Sequence, residues 1–299
     1  MINLKKILPR NVRSRMMYTL SFLPDELYVK LFYFSISGKW MNLKDPKGFN
    51  EKQNWLKLHD RHPEYTQLVD KYAVRSHINE VLGEGHLFPL LGKWERFEDI
   101  NFDELPDAFV LKCNHDSGST KIIREKRSLT EADKKELGET FNKRLKENFF
   151  YAGREYPCKD IKKTYILAEE LMKDKNKPGT SIDDYKFFCF DGVPKVMFVA
   201  TDRSTDCRFD FFDMDFKHLD IENLHPNADN PIPKPEMFEE MKQIAATLSK
   251  GIKFVRIDLY QLNGTIYFGE YTFFHGGGFA PFKPDEWEQK LGSWINLES

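Results

Sequence analysis

The sequence predicts an α+β chain, and three observations carry that prediction. Helical periodicity occupies 47–82, paired strand-like runs about tight turns occupy the second half, and no internal repeat interrupts the order. At 299 residues the chain is long enough for two or three subdomains around a sizeable core.

The elements follow in order. Asn50 is placed to cap a helix whose Trp55, Leu56 and Leu58 face inward. Pro63 opens a second helix through Leu68, Val69 and Tyr72 to Leu82, with Gly83 and Gly85 as stops. A short apolar run, 86–91, precedes a strand over 109–113. Residues 114–120 read as a loop and 121–124 as the returning strand. Thr130 caps a charged helix reaching about Asn148. Residues 165–172 read as a buried strand ending in acids, and 173–183 as a polar loop. Strands 185–190 and 193–200 flank Asp191-Gly192, and 208–212 adds another. Pro235 starts a helix with Met237, Met241, Ile244 and Leu248 on one face, closed by Gly251.

The last hairpin, 254–272, is the most informative. Side chains alternate faces along a strand. A two-residue Asn263-Gly264 turn with unbroken pairing sets Asp258 opposite Gly269, which turns Glu270 to the other face. A three-residue loop, Leu262 to Gly264, pairs Asp258 with Phe268 and Arg256 with Glu270. Arg256, Asp258, Glu270 and Thr272 then share one face. Val255, Ile257, Leu259, Tyr267 and Tyr271 form an apolar one. The second register sorts polar from apolar and is the expectation. Two acids and an arginine beside Gly276, Gly277 and Gly278 suit a magnesium–nucleotide site; an Arg–Glu cross-strand pair on a surface hairpin reads the same residues structurally.

Composition narrows the classes. Charged residues make up 31% and the net charge is −2, which argues against a nucleic-acid partner. The 26 Phe and 12 Tyr argue against disorder. Cys113, Cys158, Cys189 and Cys207 lack metal-ligand or disulfide-framework spacing, so a reducing cytoplasm is expected. No signal peptide is evident, and no apolar run reaches the roughly 18 residues of a membrane span. Residues 1–40 carry Lys5, Lys6, Arg10, Arg13, Arg15, Lys30 and Lys39 against Asp25 and Glu26. This suits either a peripheral contact with an anionic membrane or a biosynthetic complex, or a solvated face of packed helices.

Several phrases recur in a telling order: FNEKQNWLKLHDR, LVDKYAVR, FVLKCNHDSGS, DYKFFCFDG, FVRIDLY, FGEYTF and FKPDEWEQKLG. Together they resemble the ATP-grasp superfamily over roughly 66–280, and its TupA-like branch from about Asn42 to the C-terminus. That branch is linked to teichuronopeptide and surface-polysaccharide gene clusters. The resemblance implies two α+β subdomains clasping ATP, with a helical N-terminal extension over 1–62. A helix–strand segment over 63–108, a small lobe over 109–183 and a large lobe over 184–299 would follow.

It also implies roles. Lys71 and Lys112 would hold phosphates. His115, Ser117, Gly118 and Ser119 would belong to a lid loop. Glu169, Glu170, Leu171 and Met172 would form the adenine hinge. Asp184 would take ribose hydroxyls, and Lys186 would reach toward the phosphates. Arg256 would stabilise the transferred phosphoryl group, and His275 would touch the acceptor. Asp258, Glu270 and Thr272 would bind Mg²⁺; Thr272 stands where the superfamily usually has Asn, which puts a second metal in doubt. Read without the resemblance, Lys71 is a solvated charge, Cys113 a core residue, and His115 and His275 loop histidines.

The implied activity is a carboxylate–amine ligase using ATP and an acyl phosphate. Its substrates would be a uronic acid or amino acid and an amine, linked to a surface glycan. A sugar kinase on the same fold is the alternative, as is a glycosyltransferase, for which Asp213-Met214-Asp215 offers a weak DxD motif.

Overall fold

A computed structural model of the chain describes residues 19–175, 181–203 and 205–298. Lys5, Lys6, Arg10, Arg13 and Arg15 of the basic N-terminal stretch, and the middle of the 173–183 loop, lie outside the described residues. The chain divides into two compact units. The first comprises Met1–Arg61, Tyr151–Glu155 and Asp174–Ser299; the second comprises His62–Phe150 and Tyr156–Lys173.

In the second unit, helices α3 (Glu64–Val69) and α4 (Val74–Leu82) replace the continuous helix expected over 63–82. Asp70 interrupts it. Its Oδ1 accepts the N–H groups of Tyr72 (2.8 Å) and Ala73 (3.1 Å), which caps the new helix from outside. A four-stranded antiparallel sheet follows, from β1 (Leu90–Trp94), β2 (Phe109–Cys113), β3 (Lys121–Ile123) and β4 (Ile166–Glu170), in the order β1-β4-β2-β3. The sequence showed β2, β3 and β4; β1, with Gly92 at its centre, was not foreseen. Alternation on β2 buries Phe109, Leu111 and Cys113 against α5 (Glu131–Arg144), whose Phe141 enters the same core. Thr130 caps α5 as expected, its Oγ1 accepting from the Asp133 N–H at 3.1 Å, and the helix ends at Arg144. The other sheet face carries Val110 and Lys112. The short helix α6 (Phe150–Gly153) belongs to the first unit from Tyr151 on, and α7 (Tyr156–Lys159), in the second, precedes β4.

The first unit opens with α1 (Asp25–Ser37) and α2 (Phe49–His59). Gly48, not Asn50, is the N-cap of α2, and Glu51 accepts the Gly48 N–H at 3.1 Å. Its six-stranded antiparallel sheet comprises β5 (Asp184–Phe190), β6 (Val193–Thr201), β7 (Arg208–Phe212), β8 (His218–Leu219), β9 (Phe254–Leu262) and β10 (Thr265–Thr272). The order is β10-β9-β5-β6-β7-β8. One face packs on α8 (Phe238–Ser249) through Phe238, Met241, Ala245 and Leu248, a stripe at helical spacing. The C-terminal helix α9 (Glu286–Ser293), also unforeseen, packs against α2. Gly292 is required there, since a Cβ would stand 2.1 Å from the Lys47 carbonyl oxygen.

The β9–β10 hairpin corrects the expected register. Leu262 pairs with Thr265 across a two-residue turn, in which Asn263 and Gly264 both have positive φ (52° and 77°). A bulge at Gly269 then inserts one residue, so Asp258 faces Glu270 and Arg256 faces Thr272. The polar residues still share one face. Phe268, rather than Tyr267, completes the apolar face; Tyr267 lies opposite Tyr260 on the polar side.

Candidate active site

The polar face of the six-stranded sheet concentrates charge. Register brings Asp184 opposite Tyr260, and Lys186 opposite Asp258, which itself faces Glu270. Arg256 is the hub. Its Nε and NH2 donate to both oxygens of Asp258 (2.6 and 2.7 Å), a bidentate pair of the strong kind. NH2 also reaches Thr272 Oγ1 (2.9 Å) and Glu270 Oε1 (3.2 Å). NH1 donates to His275 Nδ1 at 2.8 Å, which fixes the histidine as its Nε2–H tautomer, donating to Asn223 Oδ1 at 2.7 Å. Lys186 bonds Asp258 and, at 2.6 Å, Asp184 Oδ2. Arg203 takes the same Asp184 oxygen at 2.6 Å.

Three carboxylates and three cations thus balance in this network. Removing one member strands its partner, a far larger loss than any single surface pair represents. Tyr260 is held well above its ordinary pKa by burial and by Asp184.

His275 departs from expectation. It is fully buried among Phe188, Phe198 and Phe282, with both ring nitrogens bonded. Burial first, then the charges of Arg256 and Lys186, drive its pKa well below the usual imidazole value. The ring is neutral and orients Arg256. Thr272 is likewise occupied, accepting from Arg256 and donating to Glu270 at 3.2 Å, so it buttresses the face.

The carboxylate set suits Mg²⁺ in kind, because hard oxygen donors are what that ion takes. The donors are unequal. Glu270 is 43% exposed, whereas Asp258 is 1% exposed and holds Arg256 and Lys186 with its oxygens. Among the described residues no group of three or more His, Cys, Asp or Glu could enclose a metal, so phosphate oxygens and water would complete its shell. Asp184 Oδ1 is fully buried and has no partner among the described residues, leaving one acceptor for a hydroxyl or cation.

In the second unit, Lys112 and Glu169 lie on the same sheet face and pair at 2.6 Å, joined by Arg75 NH1 at 3.4 Å. At the expected hinge, the Glu170 N–H donates to the Pro89 carbonyl, and the Met172 N–H to the Glu170 carbonyl. Leu171 stands between them, just past the end of β4. The expected lid loop is tied down. His115 is buried, its Nε2 at 3.1 and 3.2 Å from the carbonyls of Arg144 and Glu147, and burial lowers its pKa. Ser119 Oγ accepts from the Cys113 N–H and donates to Asp116. Lys71 Nζ donates to the Asp116 carbonyl. Ser117 and Gly118 (φ +85°) are the exposed part. Cys113 is a core residue whose thiol burial pushes up to about 12. Asp213, of the weak DxD motif, accepts the N–H groups of Asp215 and Lys217 and closes a turn.

The sequence reading missed one stripe of the site. Asn50, Gln53, Asn54 and Lys57, at i, i+3, i+4 and i+7 on α2, are all buried and bind the backbone of 275–280. Gln53 accepts the His275 N–H (2.6 Å), Lys57 donates to the Gly277 carbonyl (2.6 Å), Asn54 to that of Gly278 (2.6 Å) and Asn50 to that of Ala280 (2.9 Å). Amides at helical spacing where leucine would be expected are the available signal.

The charged network thus lies on an antiparallel sheet, with a glycine turn beside it. The family model of TupA-like ATP-grasp proteins matches residues 51–296, and the chain belongs to that family. Among solved structures, it is similar to D-alanine–D-alanine ligase from Bacillus anthracis, at 17% identity and a TM-score of 0.43. That match covers 74% of this chain and 63% of the other. The Helicobacter pylori D-alanine–D-alanine ligase follows at 11% and 0.40, covering 83% and 69%. The ATP-grasp ligase PsnB, complexed with minimal precursor, gives 12% and 0.39, covering 71% and 53%. The chain therefore spans less than two thirds of the Bacillus anthracis ligase and of PsnB. No curated protein matches it. Among the described residues no helix is long and apolar enough to cross a membrane.

Proposed function

We propose that the chain is an ATP- and magnesium-dependent carboxylate–amine ligase working through an acyl phosphate. The observation that carries this reading is the network about Arg256, on a chain of the ATP-grasp family. Of its five N–H donors, Asp258, His275 and the Glu270–Thr272 pair engage four, which leaves one on NH1. Lys186 gives two of its three to Asp184 and Asp258 and keeps one. These two donors are fixed in direction before any substrate arrives, the form of stabilisation that serves a phosphoryl group in transfer.

A carboxylate oxygen attacks the γ-phosphorus of ATP, the bond to ADP breaks, and an acyl phosphate forms. An amine nitrogen then bonds the acyl carbon, the C–O bond to phosphate breaks, and the nitrogen sheds a proton to give an amide and inorganic phosphate. Arg256 and Lys186 would hold the transferring oxygens, and His275 would keep Arg256 in place. Within the second unit, the family resemblance assigns Lys112, now paired with Glu169, to an α- or β-phosphate oxygen, and the 170–172 backbone to the adenine edge. Glu270, with Asp258 behind it, would hold magnesium, which when bound neutralises phosphate oxygens. A uronic acid or an amino acid of a surface polysaccharide is the proposed setting, supported by the resemblance to teichuronopeptide-type chains.

The test is ADP release from Mg·ATP with a panel of uronic acids and amino acids, dependent on both an acid and an amine. Asp258→Asn and Glu270→Gln are expected to lower that turnover about a hundredfold or more. Undiminished turnover in either variant removes that residue from the site. A phosphorylated sugar in place of an amide with free phosphate turns the reading into a kinase.

A further inference from the structure

One carboxylate beside the glycine turn has no role so far. Glu155 belongs to the first unit, is half-buried, and forms no hydrogen bond or ion pair among the described residues. Its Oε1 lies 3.8 Å from where a Cβ on Gly277 would stand, so it faces the turn at close range. Each of the network's carboxylates already has a cation: Asp184 has Lys186 and Arg203, Asp258 has Arg256 and Lys186, and Glu270 has Arg256.

The chain holds Glu155 there with unusual firmness. Arg154 precedes it in the left-handed region (φ +59°), a conformation a long side chain adopts only when its surroundings impose it. The surroundings do so. Arg154 is fully buried, donates to the Ser21 carbonyl at 2.9 Å, pairs with Asp25 at 3.1 Å, and stacks on Tyr28 at 4.2 Å. Backbone strain at a residue anchored this way fixes the direction in which the next side chain leaves. Arg154 itself faces away from the glycine turn, among residues 20–28, so its own charge is spent on those partners.

We propose that Glu155 receives the ammonium group of the amine substrate at the 275–278 turn, a reading that rests on the ligase function above. The chemistry is complementary: the unpaired carboxylate supplies two acceptor oxygens, and an ammonium brings three donors and a positive charge; it yields one proton to Glu155 or to water before its nitrogen attacks, and the second after the C–N bond forms. The neighbouring cations do not pre-empt it. Arg256 is engaged by Asp258, Thr272 and His275. Lys57 spends two donors on Gly277 and Asn54, and burial lowers its pKa while the charge of Glu155 acts against that shift. Burial raises the carboxyl of Glu155, Glu270 acts in the same direction, and Lys57 and Arg256, neither within ion-pair distance among the described residues, act against it.

The test separates the two halves of the reaction. Hydroxylamine is a neutral nucleophile near pH 7.5 and traps an acyl phosphate as a hydroxamate without needing an ammonium site. The 299-residue wild-type chain is assayed with Mg·ATP and a panel of uronic acids and amino acids, once with hydroxylamine and once with the amino acids of the panel as amines. Glu155→Gln is expected to keep hydroxamate formation within about twofold of wild type while kcat/KM for the amine falls at least about tenfold, through KM. Equal loss in both assays, or loss in neither, overturns the proposal. Should the Gln variant lack a wild-type melting transition, Glu155→Asp retains the charge at shorter reach and must show the same split in smaller measure. A wild type that forms no hydroxamate from any acid of the panel removes the ligase reading itself, before any variant is made.

Discussion

Lys57 is 1% exposed and, among the described residues, has no carboxylate within ion-pair distance, with Glu155 acting on it only through its charge; the arrangement costs free energy wherever the ammonium is charged. Its three N–H groups meet the Gly277 carbonyl, Asn54 Oδ1 and the face of Phe279, 4.2 Å away. Burial lowers its pKa from 10.5 to about 7. In the unfolded chain the amine keeps its proton up to the higher value, so between these limits the unfolded state binds more protons and stability rises with pH. Denaturant unfolding of wild type between pH 7 and 9 is expected to show such a rise, and Lys57→Met to lack most of it. A parallel pH dependence in the two proteins would refute the assignment. Nothing in the sequence marks this lysine apart from the chain's other lysines until its three amide neighbours on the helix are counted with it. His275 teaches the converse. A histidine before three glycines looks exposed and reactive, yet aromatic packing and two hydrogen bonds make it the support of an arginine.

At the scale of elements, the strands were legible wherever alternation or turn chemistry was strong. Asp191-Gly192 and Asn263-Gly264 both mark real two-residue hairpins. What alternation could not show was the bulge at Gly269, because an extra residue in a strand leaves no mark except the glycine itself. A Cβ there would stand 2.9 Å from the Tyr260 ring and 3.0 Å from the Asp258 carbonyl oxygen, so the position is closed to other residues. Gly269→Ala is expected to cost about 1–3 kcal/mol of stability and to lower turnover by displacing Glu270, checked by denaturant unfolding beside the ADP assay. The break between α3 and α4 was hidden for a different reason. Asp70 stops one helix and caps the next with its own carboxylate, and in a polar helical stretch an aspartate reads as one more surface charge. The edge strand β8, of two residues, is too brief for a periodic pattern, and β1 has Gly92 at its centre, where no side chain marks the alternation.

At the scale of the molecule, the order of phrases along the chain established the family, while the site draws on segments far apart in sequence. Residues 50–57, 151–155, 184–203 and 256–278 all contribute to the first unit, and no local pattern links the first two to the last. The second unit has its own core, in which Phe141 is fully buried against Phe97 and the sheet. Phe141→Ala is expected to cost about 3–5 kcal/mol and to speed amide exchange in β2 and β4. Unchanged exchange in those strands would place the core elsewhere. The hairpin has a last consequence, for chain length. A two-residue turn with one bulge, and a three-residue turn with none, give different partners but the same parity, and parity alone decides whether Glu270 points toward Arg256 or into the apolar layer. Insertions or deletions between Asp258 and Glu270 should therefore be accepted in pairs and rejected singly, whatever their composition.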